Sequence, residues 1–128
     1  MIYVDTSVAL AHLLAEDRRP PDALWDATLV SSRLLEYEIW TRLNARMLAE
    51  SHGDAARGII GRIALLELAP AVLERALDAF PLPVRTLDAL HLATFHFLWK
   101  QRQPIELASY DRRMLAVAKA MEMPLFAL

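Results

Sequence analysis

Acidic side chains stand where short apolar runs of this sequence stop. Asp5 follows Ile2–Val4, a β-branched and aromatic run that is typical of a buried parallel strand. Asp111 follows a similar run, Ile105–Ser109. Asp88 lies in the first turn of a predicted helix, after a proline-containing loop. Because the carboxyl ends of parallel strands meet at one edge of a sheet, beside the N-termini of the following helices, we expect these acids to lie close together.

Such a carboxylate cluster, in a chain without cysteine, is suited to Mg²⁺ or Mn²⁺, which prefer oxygen ligands. Without a cation the carboxylates would repel one another and take up protons or move apart. One or two Mg²⁺ ions there would bind a phosphodiester, lower the pKa of a bound water and offset charge on the leaving oxygen. Thr6 and Ser109 are predicted to hydrogen-bond the strand-end acids or a water on the metal. The helix after Ser31 can supply a fourth carboxylate, from Glu36 or Glu38.

Each acid also has a purely structural interpretation. Asp5 and Asp111 can cap the helices that follow them, and Asp88 can favour its helix through the helix dipole. His91 lies one turn after Asp88, where we expect a packed or capping side chain rather than a substrate contact. The remaining histidines have no ligand spacing, so no zinc site is predicted.

The sequence alternates between predicted strands and helices. Strands are predicted at 2–4, 28–31, 63–68, 105–109 and 124–128, and helices at 8–14, 34–51, 55–60, 71–78, 87–102 and 114–121. Thr6 or Ser7, Ser31 or Ser32, and Thr86 are the predicted helix caps. This alternation predicts one α/β domain over residues 1–128, a three-layer α/β/α sandwich with a mainly parallel central sheet.

Length and composition limit the class of protein. A chain of 128 residues with 55% hydrophobic residues can form one compact domain. The absence of cysteine excludes disulfides and thiolate metal sites, and makes the reducing cytoplasm the expected location. We expect no export signal and no association with a membrane, since no apolar stretch approaches the roughly 18 residues of a membrane span.

The net charge of the chain does not indicate that it binds nucleic acid. Its formal net charge is −2 and its pI is about 6.1. However, 12 of the 14 basic residues are arginine, whose planar guanidinium suits phosphate, and the other two are Lys100 and Lys119. Arg85, Arg112 and Arg113 lie within three residues of a candidate acid, so we expect an arginine-lined rim around the pocket.

Four segments resemble PIN-domain proteins, in particular VapC-type toxin ribonucleases. The segments are MIYVDTSVAL, SSRLLEYEIWTRL, RTLDALHLA and ASYDRRMLAVAKAM, and they stand in the family's order and spacing. The resemblance implies a Mg²⁺-dependent endoribonuclease that cuts structured RNA such as tRNA or ribosomal RNA. It also implies a cognate antitoxin protein that covers the site, and a homodimer.

The same resemblance assigns roles to individual residues. The catalytic and metal-binding acids fall on Asp5, Glu38, Asp88 and Asp111, and the substrate-binding arginines on Arg85 and Arg112. Glu38 is preferred to Glu36 because its spacing from Ser31 fits the family pattern. The two glutamates are two residues apart and so face opposite sides of a helix, which means that only one of them can face the site.

Other classes of protein fit the sequence less well. A phosphorelay receiver shares the length and the acidic Mg²⁺ pocket, but it needs a lysine after its last strand, and Lys100 and Lys119 lie inside predicted helices. A haloacid-dehalogenase-like phosphatase needs an acid where this chain has Ser7. A catalytically inactive PIN-fold binding module and an RNA-processing PIN nuclease stay open.

Overall fold

Four parallel strands form the central sheet of the computed structural model, which describes residues 1–128. The strands are β1 (Ile2–Val4), β2 (Leu29–Ser32), β3 (Ile63–Leu66) and β4 (Glu106–Ala108), in the spatial order β3-β2-β1-β4. Val4 pairs with Ala108 in the register of β1 and β4. The chain continues from this pair into Asp5 and Ser109, which therefore lie side by side beyond the carboxyl edge of the sheet.

Six α-helices cover the sheet. They are α1 (Thr6–Leu13), α2 (Leu34–Ala45), α3 (Ala49–Gly61), α4 (Pro70–Leu77), α5 (Thr86–Lys100) and α6 (Arg112–Ala120), and a 3₁₀ helix spans Asp22–Asp26. The helices lack the combination of length and apolar character that a membrane span requires.

The core is divided between the two faces of the sheet. Ile2 and Val4 point to one face and pack with buried residues of α1, α2 and α3. Tyr3 points to the other face and packs with residues of α5 and α6, including Phe95 and Met114. This alternation along a strand buries both faces, as a parallel sheet requires. The predicted three-layer α/β/α sandwich is confirmed.

The predicted single helix over 34–51 is wrong, because the chain reverses between α2 and α3. Met47 adopts the left-handed conformation, with φ of 57°. The Leu48 N–H donates to the Leu43 carbonyl over 2.8 Å, and the Met47 N–H donates to the Asn44 carbonyl over 3.1 Å. These two bonds form a Schellman motif, which usually has glycine where this chain has Met47. The reversal lets Leu43 and Leu48 pack against the same core cluster.

Several predicted boundaries also differ from the structure. Residues 55–60 belong to the longer α3, and the predicted strand at 124–128 is reduced to one bridge between Leu107 and Leu125. Thr6 and Thr86 are the first residues of α1 and α5 rather than their caps. The N-cap positions are taken by Asp5 and Arg85, neither of which makes a side-chain capping bond.

Candidate active site

Asp5 lies at the junction of β1 and α1, and only 5% of its surface is exposed. Its Oδ2 accepts hydrogen bonds from Ser7 Oγ over 2.6 Å and from Ser109 Oγ over 2.9 Å. A buried carboxylate is stable only when such bonds replace water. Its other oxygen, Oδ1, accepts no hydrogen bond from the protein and so stays available to a ligand.

Glu38 reaches the same edge of the sheet from the second turn of α2. Its Oε1 accepts hydrogen bonds from Thr6 Oγ1 over 2.8 Å and from His91 Nε2 over 2.6 Å. Glu36 points elsewhere, and its carboxylate lies 3.8 Å from the Arg33 guanidinium. The two glutamates therefore have different surroundings, and Glu38 is the one directed at the strand-end acids.

Asp88 and Asp111 complete the group from two helix N-termini. Asp88 lies in the first turn of α5, and its carboxylate is 3.5 Å from Arg85 Nε. Asp111 is the N-cap of α6, and its Oδ1 accepts the N–H groups of Arg113 and Met114. The capping interpretation of Asp111 is thus confirmed, but the cap uses only one oxygen of the carboxylate.

All four acids line one pocket of about 500 Å³, together with Thr6, Ser7, Arg42 and Arg85. Ser109 does not line it, but its hydroxyl bridges two of the acidic positions. It donates to Asp5 Oδ2 and accepts the Asp111 backbone N–H over 2.9 Å. The pocket is therefore lined by four acids and two arginines.

The carboxylates influence one another electrostatically. Burial raises the pKa of Asp88, and the negative charges of Asp111 and Asp5 raise it further, while Arg85 opposes this change. Burial disfavours the charged form of His91, but the hydrogen bond to Glu38 and the charges of Asp5, Glu38 and Asp88 outweigh burial and raise the pKa of His91. Negative charge is thus concentrated around Asp88 and His91.

The oxygen atoms that line the pocket are of the kind that a hard divalent cation prefers. Its acids are all oxygen donors, and Asp5 and Asp111 each keep one oxygen that accepts no hydrogen bond. No three acidic or imidazole groups are close enough to hold a metal ion in their present positions. Like-charged carboxylates are expected to rest apart when no cation lies between them. Side-chain movements would be needed to bring them onto one ion.

Only one of the three arginines predicted near the site lines the pocket. Arg85 lines the pocket, whereas Arg112 and Arg113 are exposed in the first turn of α6 and do not. Arg42, which was not among the predicted site residues, lines the pocket one turn after Glu38. The helical spacing between Glu38 and Arg42 is the signal that could have identified it.

Two other residues of the site were not assigned a role from the sequence. The sequence predicts Ser7 only as a helix cap, yet its hydroxyl donates to Asp5 Oδ2 and accepts the Tyr110 N–H over 3.0 Å. His91 was expected to be packed, and it is, with 1% of its surface exposed. Its contact with Glu38 depends on where the sheet places α2 and α5, which lie on its opposite faces, and no local spacing reveals this.

A family model of the PIN domain matches residues 2–120. The chain belongs to the PIN-domain family. Every acid of the pocket lies within the matched residues, which run from β1 through α6. No solved structure matches the chain significantly.

Curated relatives of this PIN domain are VapC ribonucleases. Ribonuclease VapC46 of Mycobacterium tuberculosis is 36% identical over 101 residues, which cover 77% of this chain and 72% of the relative. Ribonuclease VapC35 of the same species is 30% identical over 133 aligned positions, which cover 99% of this chain and 96% of the relative. The resemblance to VapC-type PIN proteins is confirmed.

Proposed function

We propose that this PIN-domain protein is a Mg²⁺-dependent endoribonuclease, with Mn²⁺ as a possible substitute, and the toxin of a toxin–antitoxin pair. Its substrate is structured RNA such as tRNA or ribosomal RNA, and the reaction is attack of water on a phosphodiester. The observation that carries the proposal is the presence of Asp5, Glu38, Asp88 and Asp111 in one pocket of a chain whose relatives are VapC ribonucleases.

In this proposal the four acids hold the metal. When bound, a divalent ion supplies a water of lowered pKa and offsets negative charge on the phosphate and the leaving oxygen. The side chains around the acids fix their orientation. Ser7 and Ser109 hold Asp5 by one oxygen, and Thr6 holds Glu38 by Oε1.

Arginine side chains are proposed to bind the RNA backbone. Arg85 and Arg42 line the pocket, where a guanidinium can pair with the phosphate beside the cleaved bond. Arg112 lies outside the pocket but directly after Asp111, so we assign it a phosphate further along the RNA. The arginines would attract RNA locally, since the net charge of −2 provides no general attraction.

Two protein partners belong to the proposal. As the resemblance implies, an antitoxin would cover the acidic pocket, and two copies of the chain would form a homodimer. Light scattering of the purified chain tests the second point. A homodimer has twice the 14.5 kDa mass of the chain, and a mass of 14.5 kDa at all concentrations would contradict it.

The nuclease proposal is tested by incubating the purified chain with a total RNA pool, with Mg²⁺, with Mn²⁺ and with a chelator. We expect discrete cleavage products only with a metal. Asp5→Asn should lower the cleavage rate at least about 100-fold, because the loss of a metal ligand should cost as much as the loss of an outer-shell partner or more. Asn can still accept the hydrogen bonds of Ser7 and Ser109, so the fold should persist.

Asp54→Asn is the matched control, since Asp54 is exposed on α3 and pairs only with Arg57. It should leave the cleavage rate unchanged. Cleavage that persists in the chelator or in Asp5→Asn would refute the proposed metal site. A folded, metal-binding chain that cuts no RNA would instead indicate an inactive PIN-fold binding module.

A further inference from the structure

A chain of buried hydrogen bonds connects the centre of the sheet to Glu38. The Tyr3 hydroxyl lies 2.8 Å from His91 Nδ1, and His91 Nε2 lies 2.6 Å from Glu38 Oε1. Tyr3 has no exposed surface and His91 has 1%. Neither residue is among those that line the acidic pocket. The ring of His91 therefore lies behind Glu38, between its carboxylate and the core.

Chemistry fixes the direction of the hydrogen bond between His91 and Glu38. A carboxylate oxygen can only accept, so His91 Nε2 must carry the proton that it shares with Glu38. In the neutral imidazole, Nδ1 is then a free acceptor for the Tyr3 hydroxyl. Burial, followed by the charge of Asp5, raises the pKa of Tyr3, so that hydroxyl keeps its proton.

Packing leaves this chain of bonds little freedom. Tyr3 is part of β1, which has a strand on either side, and its ring meets the rings of His91 and Phe95 edge to face at 6.0 and 5.9 Å. Thr6 donates to the same Glu38 oxygen over 2.8 Å. Two donors thus occupy Oε1, and Oε2 is the oxygen that Glu38 can present to a ligand.

We propose that His91 is a positioning residue for Glu38. Held by Tyr3, it fixes one carboxylate oxygen so that the other faces the pocket, and it touches neither metal nor RNA. This inference rests on the proposed function, because it requires Glu38 to be a metal ligand.

The inference predicts how metal affinity responds to changes at His91. His91→Leu removes the bonds to Tyr3 and Glu38, together with a 3.2 Å contact between Nε2 and Thr6 Oγ1. It keeps an apolar side chain and should weaken Mn²⁺ binding by about 10- to 100-fold, as the loss of an outer-shell partner of a metal ligand does. His91→Gln keeps an N–H donor near the position of Nε2 and should recover most of the affinity. Tyr3→Phe keeps the ring and removes only the anchoring hydroxyl, so its effect should be smaller than that of His91→Leu.

Leu92→Ala is the control for loss of packing. Leu92 is the next residue of α5 and is fully buried in the core on the Tyr3 side of the sheet. The substitution should lower the stability of the fold without touching Glu38. We therefore expect its Mn²⁺ affinity to equal that of the wild type at a temperature where both proteins are folded.

A double variant separates action through Glu38 from a general effect on the fold. In the Glu38→Gln background, His91→Leu should cause no further loss of Mn²⁺ affinity, because the residue that it orients is already disabled. Losses that multiply in the double variant would overturn the positioning role.

A second measurement needs no metal. The ¹⁵N chemical shifts of the His91 ring in the metal-free wild type should identify a protonated Nε2, and Glu38→Gln should move that resonance. An unprotonated Nε2 would overturn the inference even if His91→Leu failed to fold.

The deciding experiment is Mn²⁺ titration of the wild type, Glu38→Gln, His91→Leu, His91→Gln and Leu92→Ala. Strong loss in Glu38→Gln and His91→Leu, with recovery in His91→Gln, supports the positioning role. Loss in Glu38→Gln alone overturns that role and leaves the proposed function intact. If the wild type binds no Mn²⁺, or Glu38→Gln binds it equally well, the metal site itself is refuted, and the role of His91 with it.

Discussion

Asp5 is held by one oxygen and free at the other. Two serine hydroxyls donate to Oδ2, while Oδ1 accepts nothing from the protein. Glu38 has the same arrangement, with Thr6 and His91 on Oε1. A carboxylate held by one oxygen has little rotational freedom left, so Asp5 and Glu38 are each oriented by their neighbours, although the four acids do not yet converge on one point.

The two glutamates of α2 give a direct comparison of helix faces. Glu38→Gln should lower the RNA cleavage rate at least about 100-fold, since it removes a proposed metal ligand. Glu36→Gln should change the rate by less than about threefold, since its partner is the partly exposed Arg33 and such pairs contribute little. Steady-state cleavage assays on the two variants measure this ranking. The reverse order would mean that the wrong face of α2 has been assigned to the site.

The positions of the acids could be predicted from the sequence, but their partners could not. Asp5 and Asp111 follow apolar runs, and Asp88 follows a proline-containing loop, so local pattern was enough to locate them. The contact between His91 and Glu38 joins residues 53 positions apart and depends on how α2 and α5, on opposite faces of the sheet, meet at its carboxyl edge. The choice of Glu38 over Glu36 came from the family pattern rather than from the helical period alone.

The turn between α2 and α3 could not be predicted, because it has no turn signal in the sequence. Residues 34–51 contain no glycine or proline, so helical periodicity continues through a position where the backbone reverses. The left-handed conformation of Met47 is stabilised by the burial of Leu43 and Leu48 on either side of it. Strands β1 and β4 were easier to predict, because each is a short apolar run that ends at polar residues.

Met47→Gly should relieve the backbone strain of this turn. A left-handed conformation costs a residue with a side chain about 1–2 kcal/mol, and glycine avoids that cost but loses about 0.4–1 kcal/mol through the greater freedom of the unfolded chain. The net expectation is a gain of about 0.5 kcal/mol in the free energy of unfolding. Met47 is 91% exposed, so little packing is lost.

Met47→Ile is the opposing control, because a β-branched residue tolerates positive φ poorly. It should lower the free energy of unfolding by about 1 kcal/mol. Urea denaturation of the two variants and the wild type measures both changes. Equal stability in all three proteins would show that the turn carries no strain.

The protein as a whole has a slightly negative net charge, although its proposed substrate is a polyanion. The fold class followed from the alternation of strands and helices, whereas the nuclease function followed from the resemblance of four segments. Net charge could not have predicted a nuclease, because the attraction for phosphate would come from a few arginines beside an acidic pocket. Arg42 and Arg85 are the two that the fold brings there.

Arg85→Ala should weaken RNA binding more than it slows the chemical step. We expect KM to rise several-fold, and the slope of log KM against log salt concentration to fall by about 1, as for the loss of one phosphate contact. Arg57→Ala is the control, since Arg57 lies on α3 outside the pocket and pairs with Asp54. Cleavage kinetics at several salt concentrations measure the effect. Equal slopes for both variants would exclude Arg85 from the RNA contact.

Crystals grown with Mn²⁺ can locate the metal by its anomalous scattering. We predict a peak in the acidic pocket, about 2 Å from oxygens of Asp5 and of at least one of Glu38, Asp88 and Asp111, with the carboxylates drawn together around it. Such a peak would establish that acids from two strand ends and two helix starts form one metal site. An empty pocket at saturating Mn²⁺, or a peak only at other residues, would contradict the site and the nuclease mechanism built on it.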